Sequence, residues 1–145
     1  MIVESRYKNP EVVKQIETEY PEMTEDFMIV ESRYKNPEVV KQIETEYPEM
    51  TAEFWRIVHK QYETFCLKQL NYGKGNIMLG GDSKNPEDIK YALSGLAIRI
   101  NDKANRLINL TVKNVPDVVG ESTIDTFQDL SVYGIIAQLV INKKW

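Results

Sequence analysis

Residues 1–24, MIVESRYKNPEVVKQIETEYPEMT, recur without a single change as residues 28–51. Natural repeat arrays diverge on their surfaces, and stable stacking usually needs three or more units. Two identical adjacent copies therefore indicate either a very recent duplication or an artefact of slippage, and they favour the second. We expect residues 1–27 to be a redundant duplicated leader and residues 28–145 to form a single helical domain. Because the copies are identical, the sequence does not say which of them packs on the core.

The charge balance separates the leader from the rest of the chain. The chain has 18 basic and 22 acidic residues, for a net charge of −4. Residues 1–27 hold three basic and seven acidic residues, which leaves 15 of each for residues 28–145. The balance for residues 52–145 alone is mildly basic. It favours a small anionic ligand over long nucleic acid, which usually requires a clustered basic patch.

The composition also bears on location. The hydrophobic content of 42% is enough for a core, and no apolar run approaches the roughly 18 residues of a membrane span. The N-terminus lacks the basic and then apolar pattern of a signal peptide. Cys66 is the only cysteine, which excludes an intrachain disulfide and a cysteine metal cluster. We therefore expect a cytoplasmic protein with no membrane partner.

Helix signals dominate the sequence and predict an all-α fold. Lys-Asn-Pro-Glu occurs at Lys8–Glu11, Lys35–Glu38 and Lys84–Glu87. Asn is a good N-cap, Pro fits the first helical position, and Glu suits the positive end of the helix dipole. No stretch shows a convincing period-two strand pattern. We predict a compact helical bundle of about four to five helices, with a duplicated N-terminal helical segment.

Apolar spacing gives the expected helix bounds and buried faces. A short helix over Pro37–Tyr47 should stop near Pro48, and Thr51 should cap a second helix over Ala52–Asn71. The inward candidates of this second helix are Phe54, Val58, Phe65 and Leu70. A third helix over Pro86–Leu110 has an apolar face of Ile89, Leu93, Leu96, Ile100 and Leu107. The last helix, Glu121–Asn142, is apolar nearly all round from Leu130 to Ile141, which predicts a central or interface position.

A stripe of cations borders the apolar face of the third helix. Arg99, Lys103 and Arg106 are spaced i, i+4, i+7, with Ala92 and Gly95 on the same stripe and Asp102 beside it. Small residues followed by cations leave room for a flat group and an anion, and the planar fork of Arg suits phosphate. The alternative is a salt-bridged surface face.

A stripe of acids opens the last helix. Glu121, Asp125 and Asp129 are each four residues apart, and the stripe continues through Val132, Ile136 and Leu139 or Val140. We therefore expect the acids to point inward, where carboxylates need cations, donors or a metal. The cation stripe could pair with them, or Mg²⁺ could bridge Glu121 and Asp125 to phosphates. A structural ion-pair network is the alternative.

The turn after the second helix supplies further candidate ligand-binding residues. Tyr72, Lys74 and Asn76 surround Gly73 and offer an aromatic ring, a cation and an amide. They could stack a base and contact phosphate. The alternative is a simple glycine helix stop, which explains Gly73 alone.

These residues together resemble a known family. Tyr72-Gly73, then Leu93-Ser94-Gly95 leading into Arg99, Asp102-Lys103 and Arg106, then Glu121-Ser122, Asp125-Thr126, Asp129-Leu130 and Tyr133, are similar to the nucleotide modification associated domain, type 1. The resemblance covers about residues 52–142. It implies a phage or prophage origin, action in the bacterial host cytoplasm, and a link to free nucleotides. It also implies a helical fold similar to the all-α NTP pyrophosphohydrolases, some of which are dimeric.

The pyrophosphohydrolases bind Mg²⁺ with Glu-x-x-Glu on one helix and Glu-x-x-Asp on the next. Glu121, Asp125 and Asp129 could take the second role with altered spacing, but the third helix offers only Asp102 among cations. Cations in place of carboxylates would bind phosphate directly, without a metal.

Three functions follow as hypotheses, and the missing carboxylate pair favours the first. The first is an oligomeric protein that sequesters a free nucleotide, such as a cyclic or linear immune signal. Arg99, Lys103 and Arg106 would hold its phosphate, Tyr72 its base or ribose, and the acids would accept from base or sugar or orient the cations. The second is a Mg²⁺-dependent nucleoside triphosphate pyrophosphohydrolase with Glu121, Asp125 and Asp129 as catalytic residues. The third is a helical, oligomeric interaction protein without a ligand.

Overall fold

All regular secondary structure in the described residues is helical. The computed structural model describes Thr18 and residues 34–145. Residues 34–145 contain five α-helices and one π-helical turn, and no strand. The elements are α1 (Pro37–Glu46), α2 (Pro48–Tyr72), α3 (Gly75–Met78), α4 (Pro86–Leu107), the π-helical turn (Ile108–Val112) and α5 (Thr123–Ile141). The all-α prediction is confirmed.

The chain divides into two compact units, Met1–Lys60 and Gln61–Trp145. The predicted leader, residues 1–27, lies outside the described residues except for Thr18. The predicted helix start at Lys8–Glu11 lies outside them too. The domain boundary after residue 27 therefore stays a prediction. The buried cluster, the ion pairs between helices and the cleft described below all belong to the second unit.

The two described Lys-Asn-Pro-Glu segments both begin helices, as predicted. Asn85 caps α4, because its side-chain oxygen accepts hydrogen bonds from the backbone N–H groups of Glu87 and Asp88 at 2.9 and 3.3 Å. Asn36 occupies the same position before α1, but its side chain makes no capping hydrogen bond. The shared segment therefore sets the helix start in both places, while only one of the two asparagines satisfies backbone donors.

The start of α2 differs from the prediction. The helix begins at Pro48 and not after Thr51. Thr51 lies within the first turn, and its hydroxyl donates to the carbonyl oxygens of Tyr47 and Pro48. Pro48 explains the difference, because proline at the first helical position lacks only an N–H group that would have no partner there.

The inward face of α2 was predicted only in part. Phe65 packs against the buried cluster, and Val58 is half-buried. Phe54 and Leu70 were predicted to face inward and are instead 67% and 84% exposed. Because α2 carries apolar residues on several faces, its spacing alone does not select the buried one.

The core of the second unit lies between α4 and α5, with α3 and the C-terminal residue closing it. Its most buried members include Leu96 on α4 and Ile136 and Val140 on α5. The predicted apolar faces of α4 and α5 are thereby confirmed at these positions. Trp145 joins the cluster: its ring packs edge-on against Phe65 at 6.2 Å, and its Nε1 donates to the Lys74 carbonyl at 2.7 Å.

The outer side of α5 carries apolar residues that remain exposed. Ile124, Phe127, Ile135 and Ile141 are each at least half exposed. A Cβ added at Gly134, on the same helix, would meet no atom within 4 Å. Within residues 34–145, every helix falls short of the length or apolar character that a bilayer crossing requires.

Candidate functional site

Lys103 is the centre of an ion-pair cluster between α4 and α5. Its Nζ lies 2.6 Å from Glu121 Oε1 and 2.9 Å from Asp129 Oδ2. The hydrogen bonds that Lys103 donates, first to Glu121 and then to Asp129, raise the pKa of Lys103 above its ordinary value. Lys68 of α2 also approaches Asp129, with its Nζ 3.7 Å from Oδ1. Glu121 and Asp129 of the predicted acid stripe therefore face cations, which agrees with the alternative that this stripe forms a structural ion-pair network.

Arg106 ties the end of α4 to the start of α5. Nη1 donates to the hydroxyl of Thr126 at 2.6 Å, and Thr126 is completely buried. Nη2 donates to the Glu121 carbonyl at 2.5 Å and to Asp117 Oδ1 at 3.2 Å. Nε lies 3.9 Å from Glu121 Oε2. Because Nε, Nη1 and Nη2 all face protein oxygens, Arg106 acts here as a structural clamp.

We call these residues the α4–α5 network: Lys68, Lys103, Arg106, Asp117, Glu121, Asp129 and Thr126. It contains three cations and three carboxylates, so its formal charge is balanced. The network links α4 to α5 and its approach, and its balanced charge leaves no excess positive charge with which to attract a phosphate.

A cleft opens beside the network, at the C-terminal end of α4. Its volume is about 370 Å³, which is within the range of small-molecule sites. One wall is formed by α4 and the π-helical turn, and the other by the loop that follows the turn. The lining residues are Asp102, Asn105, Arg106, Asn109, Leu110 and Val115–Val119. The π-helical turn is notable because such turns are rare and often occur at functional sites.

Asp117 holds the loop of this cleft in place. Its Oδ1 accepts hydrogen bonds from the backbone N–H groups of Val119 and Gly120 at 3.1 and 3.2 Å, and from Arg106. The Val119 N–H, then the Gly120 N–H and the nearby Arg106 charge, lower the pKa of Asp117 below its ordinary value. Gly120 has φ +80°, which side chains other than glycine rarely adopt.

Arg99 differs from the other two cations of its stripe. Its side chain is exposed, and it has no hydrogen bond or ion pair with any described residue. Gly95, one turn earlier, is open to solvent on its Cβ side. Asp102, one turn later, lines the cleft and is exposed. Arg99 is therefore an exposed and unpaired cation on α4, one turn before Asp102 of the cleft lining.

The remaining sequence-predicted residues do not join this site. Asp125 is exposed, and its backbone N–H donates to the capping side chain of Ser122. Tyr72 is 64% exposed, and the Lys74 carbonyl accepts from Trp145. Asn76 has a buried Oδ1 without a hydrogen-bond partner among the described residues. Tyr72, Lys74 and Asn76 belong to neither the network nor the cleft lining, and their ligand-binding role stays a prediction.

Several site residues were missed by the sequence reasoning. Asn105 and Asn109 have the i, i+4 spacing of neighbours on a helix, and this spacing could have marked them. Asp117 precedes Gly120 in a pattern typical of a side chain that closes its own turn. The pairing of Lys68 and the burial of Thr126 left no local signal, because both depend on how distant helices pack.

The donor set does not fit a magnesium cage. Among residues 34–145, no group of three or more His, Cys, Asp or Glu side chains could hold a metal ion. Glu121 and Asp129 already face Lys103, and Asp125 is exposed on its own. The roles of Glu121 and Asp125 as metal ligands are left as predictions from sequence.

The resemblance described above rests on dispersed residues of about positions 52–142. Comparisons of the chain with protein-family models, curated proteins and solved structures find no match. A fold by itself does not determine a function, so a function for this chain has to be argued from its site.

Proposed function

We propose that this protein binds and sequesters a free phosphorylated nucleotide on the outer edge of α4. One observation carries the proposal: the unpaired cation Arg99 and a cleft of small-molecule size lie on the same helix, with Asp102 between them. The resemblance to a nucleotide-associated phage family points to the same class of ligand. A cyclic or linear immune signal fits this class.

The proposal changes the roles of the three cations. Arg99 holds the phosphate, because its guanidinium is unpaired and can form the two parallel hydrogen bonds that suit phosphate oxygens. Lys103 and Arg106 support the site instead, because their donors are already used by Glu121, Asp129 and Asp117. The acids thus orient cations, which is one of the roles expected from the sequence.

Sequestration is favoured over hydrolysis because Glu121 and Asp129 are already paired with Lys103. A pyrophosphohydrolase of the expected type needs carboxylates that are free to hold Mg²⁺ over the phosphates. Glu121 and Asp129 are within hydrogen-bonding distance of Lys103 in this chain. Releasing them would leave charges without partners in a partly buried place, which is costly.

The test is incubation of the purified full-length protein with linear and cyclic nucleotides, with and without Mg²⁺. The solution is analysed by chromatography before and after heat denaturation of the protein. A nucleotide that disappears from solution and returns intact on denaturation is the expected result. Products that form only with Mg²⁺ would establish the hydrolase, and full recovery of every nucleotide without denaturation would overturn both.

Substitution of Arg99 by Ala should abolish retention of the nucleotide, while EDTA should have no effect. Lys90→Ala is the matched control, because Lys90 is an exposed cation on the same helix and lies away from the Arg99 edge. If the two substitutions weaken binding equally, the effect comes from net charge and Arg99 has no specific role.

A second function, a helical oligomeric interaction protein, is favoured by the exposed apolar side of α5. Ile124, Phe127 and Ile135 would be covered if α5 packed against another surface. Larger exposed apolar patches often mark protein–protein contacts. A particle mass above that of one chain, together with no thermal shift from any nucleotide, would support this function over the first.

A further inference from the structure

We infer that the cleft takes the base of the nucleotide, and that it selects bases carrying an exocyclic amino group. This inference rests on the proposed function and divides its ligand into two parts. The base enters the cleft against Asn105 and Asn109, while the phosphate stays outside at Arg99.

The charges of the cleft argue against a phosphate inside it. Its lining contains two carboxylates, Asp102 and Asp117, and one cation, Arg106. That cation already donates to Thr126, Glu121 and Asp117. A phosphate in the cleft would therefore meet net negative charge without a free cation to offset it, whereas a neutral heterocycle would not be repelled.

The amides of the cleft suit the edge of a base. Asn105 and Asn109 are exposed, and neither side chain is hydrogen-bonded to another described residue. Each carboxamide offers a donor and an acceptor side by side, which complements the paired donor and acceptor on a base such as adenine. Asp102 adds an acceptor on the same wall, and carboxylates accept hydrogen bonds from exocyclic amino groups.

The opposite wall supplies an apolar surface for the faces of a flat ring. Val118 and Val119 are 91% and 77% exposed, and Val115 and Pro116 continue the wall. The hydrogen bonds of Asp117 to the loop backbone and to Arg106 hold this wall in place before any ligand arrives. A wall that is already ordered lowers the entropic cost of binding.

The spacing of the two parts agrees with one ligand. Asp102, the lining residue nearest in sequence, is about 4.5 Å along and about 60° around the helix from Arg99, whereas Asn105 is about 9 Å along and about 120° around, at 1.5 Å and 100° per residue. The long Arg99 side chain can cover part of this distance. A base in the cleft can therefore be joined through its ribose to a phosphate at Arg99.

The test uses the intact chain, uniformly labelled with ¹⁵N, and the side-chain amide signals of its asparagines. These signals are assigned with Asn105→Ala and Asn109→Ala and then followed during titration with adenosine, inosine, cytidine, uridine and inorganic phosphate. We expect adenosine and cytidine to shift the signals of both asparagines. Inosine and uridine carry a carbonyl oxygen in place of the amino group, and this oxygen would face the acceptor-only carboxylate of Asp102, so both should bind at least about tenfold more weakly.

The variants provide the second readout. Asn105→Ala and Asn109→Ala should each weaken adenosine about tenfold or more. Asn101→Ala is the matched control, because Asn101 is an exposed asparagine of α4 outside the cleft lining, and it should leave adenosine binding unchanged. Arg99→Ala should weaken nucleotides but not nucleosides.

The failure of this inference differs from the failure of the proposed function. If nucleotides are retained but no nucleoside shifts either asparagine signal, the base does not enter the cleft, and the function stands without the inference. The same conclusion follows if inosine and uridine bind as tightly as adenosine and cytidine. If neither nucleosides nor nucleotides bind, both are overturned.

Discussion

Lys103 joins α4 to α5 and its approach through two ion pairs. Its ammonium group faces two carboxylates from α5 or its approach, and all three side chains are between 23% and 31% exposed. At this depth, water screens the charges only in part. Removing the cation leaves Glu121 and Asp129 close together without their shared partner.

Lys103→Met should therefore lower the free energy of unfolding by about 1–2 kcal/mol. This is less than the roughly 3–5 kcal/mol lost on breaking a fully buried pair, because water still reaches these side chains. Chemical denaturation at pH 7 measures the change. Lys90→Met, at an exposed position of the same helix, should cost less than about 0.5 kcal/mol; equal losses would mean that the ion pairs contribute nothing specific.

The same residue predicts the behaviour of the wild-type protein in alkali. The pKa of Lys103 is higher in the folded state than its ordinary value of 10.5. Its contribution to stability is fully present below the unfolded pKa and is lost as the pH rises through the folded pKa. Lys103→Met should remove this part of the alkaline decline, which unfolding curves between pH 9 and 12 would test.

At the scale of single elements, the two Lys-Asn-Pro-Glu helix starts form a natural matched pair. Asn85→Ala should lower the free energy of unfolding by about 1 kcal/mol, because it removes a side chain that caps two backbone donors. Asn36→Ala should cost clearly less, since the Asn36 side chain makes no capping bond. Chemical denaturation of both variants makes the comparison, and equal losses would contradict the capping role of Asn85.

The loop that closes the cleft depends on Asp117. Asp117→Ala should abolish the protection of the Val119 and Gly120 amides against hydrogen exchange, because both donate to the lost carboxylate. Asp102→Ala is the control, because the Asp102 carboxylate lines the same cleft but accepts no hydrogen bond from the loop. The Val119 and Gly120 amides should stay protected in this variant. Retained protection in Asp117→Ala would show that the loop is held by its apolar residues.

Acid should open the same loop in the wild-type protein. The pKa of Asp117 is lowered in the folded state, so its contribution is present above the unfolded pKa and is lost as the pH falls through the folded one. Exchange at Val119 and Gly120, corrected for the intrinsic pH dependence, should therefore accelerate only below the ordinary value of 3.8.

What could be predicted from sequence differs between elements for a physical reason. Leu96, Ile136 and Val140 could be predicted as core residues, because helical spacing is local and one face of each helix must be buried. Lys103, Glu121 and Asp129 were expected to share a region, and they do. Because Lys103 is paired with Glu121 and Asp129, its ammonium group is no longer available to a phosphate. This pairing could not be predicted, because the spacing within one helix carries no information on the charges of another helix.

The loop of the cleft and the buried face of α2 could not be predicted from helical spacing. The cleft depends on Asp117 contacting Arg106, which lies eleven positions earlier in the chain, before the π-helical turn and the loop. No periodicity describes such a path. On α2, Phe54 and Phe65 looked equivalent by spacing, yet Phe54 is 67% exposed while Phe65 packs against the cluster and the ring of Trp145, a contact between residues far apart in sequence.

At the scale of the whole molecule, the duplicated segment and the candidate site are separable. The buried cluster, the α4–α5 network and the cleft lining are all drawn from the unit Gln61–Trp145. Deletion of residues 1–27 should therefore leave nucleotide binding and the melting temperature of that unit unchanged. Calorimetry and the nucleotide retention assay measure the two properties, and a large drop in either would show that the first copy is structural.

The exact repeat supplies an unusual control for this deletion. Removing residues 28–54 instead of 1–27 gives a chain of the same length that differs only in having Glu25 and Asp26 in place of Ala52 and Glu53. The two shortened proteins should melt and bind alike. A difference between them would trace to these two positions, at the start of the segment that leads into Trp55.

The two tryptophans of the chain fall one in each unit, Trp55 in the first and Trp145 in the second. Trp145 is 9% exposed, packs edge-on against Phe65 and is hydrogen-bonded through its indole nitrogen. Its fluorescence should therefore be blue-shifted in the native protein and move to longer wavelength when its surroundings open. Trp55→Phe isolates this emission and Trp145→Phe isolates the other, so the order in which the two units unfold can be observed optically in the intact chain.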